Sequence, residues 1–280
     1  MRQDHVQILA SHGFARVAYR EWGRADHPRV LFCVHGLTRN AADFDLLAAA
    51  LAPHMRVVAV DLPGRGDSDW LPVKSDYALP TYLNACTTVL ARLNAGRVDW
   101  LGTSLGGLIG MSMAALPDSP VARLILNDIG PVMPGEPLRR IAAGVGQSAT
   151  FASLDEVEAY LRLAMASFGV REDQHWRQLA RSSSRPDGHG RLRLHYDPGI
   201  AQVFSDPKVL QGAEMWPLWE QIRCPVLLLR GAQSDLLTAA DAQAMTERGP
   251  KAALVEFPGC GHAPPLMEAA QIAVVRDWLE

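Results

Sequence analysis

Six short, nearly unbroken apolar runs constrain this chain more than any other feature. They lie at residues 30–34, 57–60, 98–101, 124–126, 226–229 and 254–257. Runs of this length and continuity suit strands buried on both faces, as in a parallel sheet. Helical spacing fills the intervals. Residues 41–51 and 82–93 carry apolar positions on one face, residues 105–115 are apolar nearly all round, and 239–247 and 265–279 supply two more helices. Ahead of them, 6–10 and 16–22 alternate weakly and read as antiparallel strands. The alternation predicts an α/β fold with a mostly parallel, doubly wound sheet and helices on both faces.

One interval breaks the rhythm. Residues 131–215 contain no convincing strand, only helical patterns at 151–168 and 171–180 and a Ser-, Gly- and Arg-rich stretch at 181–193. A structureless loop of that length is implausible inside a compact domain. The reading is therefore a core of residues 1–130 and 216–280, with a helical cap of residues 131–215 inserted between two core strands. The arginines Arg181, Arg185, Arg191 and Arg193 read as a solvated loop.

Composition excludes several classes. The formal net charge is −3, without a basic stripe, so nucleic acid is not an expected partner. No apolar stretch reaches membrane-spanning length, and the start lacks a secretory signal, which predicts a cytoplasmic protein with no membrane partner. Four dispersed cysteines, without a CxxC, read as reduced thiols. Cys260 is the one expected to be partly exposed. Nine histidines include no HExxH and no Cys/His cluster at ligand spacing, so neither a catalytic metal nor a cofactor is expected.

The chemistry concentrates in three places. Gly102-Thr103-Ser104-Leu105-Gly106 fits G-x-S-x-G between a strand and a helix, the turn that lifts a serine hydroxyl out of a sheet. A serine needs a base to take its proton. His262, in the Gly-rich loop after the last strand, can reach it. The base needs a carboxylate to fix its tautomer. Asp235, past the strand at 226–229, is preferred. Asp128, at the end of the strand at 124–126, is the rival, read as a local backbone partner where the cap departs. Backbone N–H groups of Leu105 and of Leu37, in His35-Gly36-Leu37, are placed to hold an oxyanion. His35 reads as structural. Arg65 is expected to brace its loop against a carboxylate.

Together the HGL turn, DLPGRGDSD (61–69), GTSLGG, GAQSD and GCGHAPP resemble the capped α/β-hydrolase superfamily, in its serine carboxylesterase-like form, over almost the whole chain. The resemblance implies an eight-stranded core, a helical cap after the sixth strand and a pocket between them. Ser104 stands where dehalogenases and epoxide hydrolases of this fold carry aspartate. The oxyanion turn lacks both the HGGPG of proline iminopeptidases and the Gly-Pro-Gly of C–C hydrolases.

The expectation is a serine hydrolase of the carboxylesterase type acting on a small to medium-sized, partly apolar ester or lactone. The same triad could instead serve C–C bond hydrolysis, enol-lactone hydrolysis or acyl transfer. A non-hydrolytic ligand-binding protein is the alternative from another class. Arg39 could meet a substrate carboxylate, and Trp216, with other aromatics of the cap region, could line the pocket. The expected partner is a small ester-like molecule, and self-assembly into a homo-oligomer is left open.

Overall fold

A computed structural model describes residues 1–280. Strands β1 (Arg2–Ala10) and β2 (Gly13–Trp22) form an antiparallel hairpin. The chain then alternates through β3 (Val30–Val34), helix α1 (Asp45–Leu51), β4 (Arg56–Val60), α2 (Leu79–Leu93), β5 (Val98–Thr103), α3 (Leu105–Ala114) and β6 (Val121–Asn127).

Between Asn127 and the next core strand lie β7 (Val132–Pro134), α4 (Gly135–Gly144), β8 (Thr150–Phe151), α5 (Leu154–Ala164), α6 (Asp173–Ser182), β9 (Ser184–Pro186), β10 (Leu192–Leu194), β11 (Gly212–Glu214) and α7 (Trp216–Trp219). The core resumes with β12 (Val226–Gly231), α8 (Ala239–Glu247), β13 (Ala253–Phe257) and α9 (Ala269–Leu279).

The main sheet has eight strands in the order β1-β2-β4-β3-β5-β6-β12-β13. Every pairing from β4 to β13 is parallel. All six apolar runs are core strands, so the expected mostly parallel sheet is present.

Side-chain parity explains why those runs are unbroken. Successive residues of a strand face opposite ways. Phe32, Val58, Trp100, Leu124 and Leu228 belong to one buried cluster. Their neighbours Leu31, Val57, Leu101, Ile125 and Leu227 belong to the other. Both faces of the sheet are thus covered. No helix is long and apolar enough to cross a membrane.

Residues 131–215 depart from expectation in one respect: they contain short strands. β7 and β11 pair and close the neck of the segment. β8, β10 and β9 make a small sheet in which Leu192 lies opposite Phe151 and Pro186. Strands of two or three residues leave no periodicity to read. The helix expected at 151–168 spans Leu154–Ala164. Ser153 starts it by accepting a hydrogen bond from the Glu156 N–H. In the stretch expected to be a solvated loop, Arg193 stacks over Trp70, 4.5 Å from guanidinium carbon to ring centre.

Candidate active site

The turn from β5 into α3 forces Ser104 into an unusual backbone conformation, with φ 51° and ψ −114°. A non-glycine residue held there signals strain sustained by its surroundings. The flanking glycines are sterically required. A Cβ on Gly102 would lie 2.2 Å from the Gly106 carbonyl oxygen, and one on Gly106 would lie 2.0 Å from the Val34 carbonyl oxygen. The second contact seats the start of α3 against the end of β3, beside the His35-Gly36-Leu37 turn. A Cβ on Gly36 would sit 3.7 Å from Ser104 Cβ.

Ser104 Oγ lies 3.0 Å from His262 Nε2. On the other side of the ring, His262 Nδ1 lies 2.7 Å from Asp128 Oδ2. An ionised carboxylate only accepts, so Nδ1 carries the proton, and Nε2 is left to accept from the serine hydroxyl.

The carboxylate hydrogen-bonded to the histidine is therefore Asp128 and not the preferred Asp235, which pairs with Arg140. Asp128 is fully buried in a left-handed conformation with φ 57°. It accepts from the Gly231 N–H at 2.7 Å and the Ser234 hydroxyl at 2.5 Å, besides His262. Asp235 follows Ser234 directly, and successive residues of this turn point opposite ways. Ser234 turns in to Asp128. Asp235 turns out, its side chain 51% exposed, and binds Arg140 at 2.6 and 2.8 Å. The signal in the sequence was Asn127-Asp128 at the end of a strand. β6 lies beside β5, which leads into Ser104, and that adjacency is a property of the sheet order.

The two N–H groups expected to hold an oxyanion have no backbone acceptor. Leu105 is the first residue of α3, so its N–H has no acceptor within the helix. Leu37 follows Gly36 in the adjacent turn, and its N–H has no backbone acceptor. His35 is buried. Its Nδ1 donates to the Gly36 carbonyl at 2.7 Å, and its Nε2 accepts from the Leu62 N–H at 3.0 Å. Burial depresses its pKa to about 3, so it stays neutral and holds the turn.

Arg65 is fully buried, and it binds carbonyls and a phenol rather than the expected carboxylate. Nε donates to Leu37 O at 2.8 Å, and Nη1 to Pro63 O at 2.7 Å and Tyr82 Oη at 2.8 Å. It thus fixes the Leu37 peptide from its carbonyl side.

The two residues expected to contact substrate both have protein partners. Arg39 grips Asp43 through Nε and Nη2 and donates from Nη1 to Ser183 Oγ at 2.7 Å. Asn40 beside it donates to Ser182 O at 2.7 Å. Both residues fasten the turn after β3 to the end of α6, and each Arg39 guanidinium nitrogen has a protein partner. Trp216 lies under the Arg248 guanidinium, 3.9 Å from its ring centre.

Phe168, from residues 131–215, meets the His262 ring edge-on at 6.4 Å between centroids. The neighbouring Ser167 carbonyl accepts from the Gly261 N–H at 2.5 Å. Cys260 is buried, contrary to expectation, and burial raises its pKa.

A family model described as the alpha/beta hydrolase family matches residues 30–276. A 3-hydroxybutyrate-oligomer hydrolase of Cupriavidus necator is 45% identical over 284 residues, covering 99% of this chain and 97% of that protein. Among solved structures, a chain from Rickettsia typhi superposes with a TM-score of 0.94 at 30% identity, covering 100% of this chain and 99% of that one. An alpha/beta hydrolase from Novosphingobium aromaticivorans does so with a TM-score of 0.86 at 35% identity, covering 99% and 98%.

Proposed function

This chain belongs to the alpha/beta hydrolase family, and from that premise we propose that it is a serine hydrolase cleaving carboxylic esters through Ser104, His262 and Asp128. One observation carries the reading: the hydrogen-bonded line from Ser104 Oγ through the His262 ring to the buried Asp128 carboxylate.

In this mechanism Ser104 Oγ attacks the ester carbonyl as His262 Nε2 takes its proton. Asp128 stabilises the imidazolium and keeps the ring in place. The N–H groups of Leu37 and Leu105 hold the tetrahedral oxyanion. His262 then protonates the leaving alcohol, and a water deprotonated by the same nitrogen releases the acid from the acyl-enzyme.

Residues 131–215 are assigned as the cap that shapes the substrate space. The Phe168 ring, set edge-on against His262, supports a partly apolar substrate. The relative from Cupriavidus necator makes short linear 3-hydroxybutyrate esters the first substrates to try.

The test is turnover of a p-nitrophenyl ester series from acetate to decanoate, alongside 3-hydroxybutyrate dimer and trimer. Wild type is compared with Ser104→Ala. Turnover by wild type should fall on the order of 10⁴-fold or more in the variant. Equal turnover by the two proteins would overturn the assignment. A folded wild type that neither turns over any ester nor reacts at Ser104 with a phosphonate would point to a binding protein.

A further inference from the structure

Away from the triad, helix α6 and the start of α9 bring together Glu172, His175 and Glu268. Their ligand atoms all lie within 4.8 Å of one another. Glu172 sits at the N-terminal cap of α6 with His175 three residues on, so both project from one helix face. Glu268 holds the position just before α9, in the segment that follows His262, and its side chain makes no capping bond there.

The histidine carries the argument. The His175 side chain is 9% exposed. Its Nδ1 is buried and has no hydrogen-bond partner, and neither has Glu268 Oε1. Native proteins seldom leave such a pair unsatisfied, and an ion is one standard resolution. The two atoms face each other at 3.5 Å, without a hydrogen bond between them. That separation suits two ligands of one tetrahedral ion, because metal–ligand bonds of about 2.0–2.2 Å put neighbouring ligands about 3.4 Å apart. Glu172 is exposed and accepts at Oε2 from Gln174 Nε2, a surface bond its carboxylate can exchange to serve as the third ligand.

We propose that Glu172, His175 and Glu268 form a binding site for a divalent transition cation of the zinc class. One imidazole nitrogen and two carboxylate oxygens suit a borderline-soft ion, and two carboxylates match its charge. A hard ion such as Mg²⁺ prefers oxygen ligands in an octahedral shell and fits the imidazole poorly. None of the three residues is hydrogen-bonded to Ser104, His262 or Asp128, so the site is structural. The ion fastens α6 to the segment beyond the histidine loop.

The experiment is thermal unfolding of EDTA-stripped protein with ZnCl₂ or MgCl₂, with calorimetric titration for stoichiometry. Wild type, His175→Gln and Glu268→Gln are compared. Zn²⁺ at a hundredfold excess over its Kd should raise the wild-type Tm by about 5 °C, with one ion bound. Mg²⁺ should do little, and both variants should lose the Zn²⁺ shift while keeping metal-free ester turnover. Glu172→Gln, an exposed change, reads the same site should a buried variant fail to fold. No wild-type shift, or an equal shift in all variants, would overturn the proposal. The first result would leave His175 and Glu268 a plain polar pair, and the second would place the ion on other histidines.

Discussion

At the scale of single residues, the choice of acid separates two aspartates that look alike in sequence. Asp128 is buried with three donors converging on it, whereas Asp235 is half-exposed and bound to an arginine. Asp128→Asn leaves the shape intact but can hold the ring in the wrong tautomer. Its kcat should fall on the order of 10³–10⁴-fold. Asp235→Asn should stay within about twofold of wild type, as exposed substitutions usually do. Steady-state kinetics on one ester decides the matter, and the reverse ranking would restore Asp235 as the acid. Ser234 is the residue that sequence reasoning passed over. Its hydroxyl donates to Asp128 and accepts from the Leu237 N–H, so the GAQSD motif serves the acid through its serine.

At the scale of elements, the seat of α3 is the tightest point. A methyl group on Gly106 has no flexible neighbour to displace, since it meets the Val34 backbone. Gly106→Ala should therefore destabilise by about 3 kcal/mol or more, read as a lower urea midpoint, with activity lost even where the fold survives. A variant of unchanged midpoint would show that β3 and α3 can part. The strands were legible because burial on both faces writes a continuous apolar run, and α8 was legible to its ends because Thr238 caps it. The Ser104–His262 contact was legible because glycine spacing marks tight turns. The carboxylate beside His262 was not, because which strand ends stand beside the serine depends on the order of strands across the sheet. The short strands β7 to β11 were hidden for another reason: their pairing is set by what they pack against. Arg39 pairs with Asp43 four residues on, but its tie to Ser183, far along the chain, left no trace in the sequence.

At the scale of the whole molecule, two buried titrating groups work against each other. Unfolded His35 takes a proton near 6.5, but in the folded protein burial delays this to about 3. Over that interval the unfolded chain binds more protons, so stability falls as pH falls. Asp61 acts with the opposite sign. Burial raises its carboxyl from 3.8 to about 6, so the folded form binds the extra proton and acid favours folding there. The two effects offset each other between about 6 and 3.8. Asp61→Asn removes the opposing group, and its urea midpoint should fall more steeply with acid across that window than in wild type. Parallel slopes would refute this pairing.

The ties between residues 131–215 and the core have a bearing on recombination. The segment joins the core covalently at two points. It is also stitched to the loop after β3 through Arg39 and Asn40, to the loop after β4 through the Gly64–Asp197 and Gly66–His195 backbone bonds, and to the histidine loop through Ser167. A gene exchange that swapped this segment between relatives would leave the backbone bonds able to re-form, but it would put at risk the bond from Arg39 to the Ser183 hydroxyl, and with it the hold on the turn after β3. Viable chimaeras should therefore inherit residues 39–40 from the same parent as the segment itself, so the two stretches should travel as one heritable unit although the chain keeps them far apart.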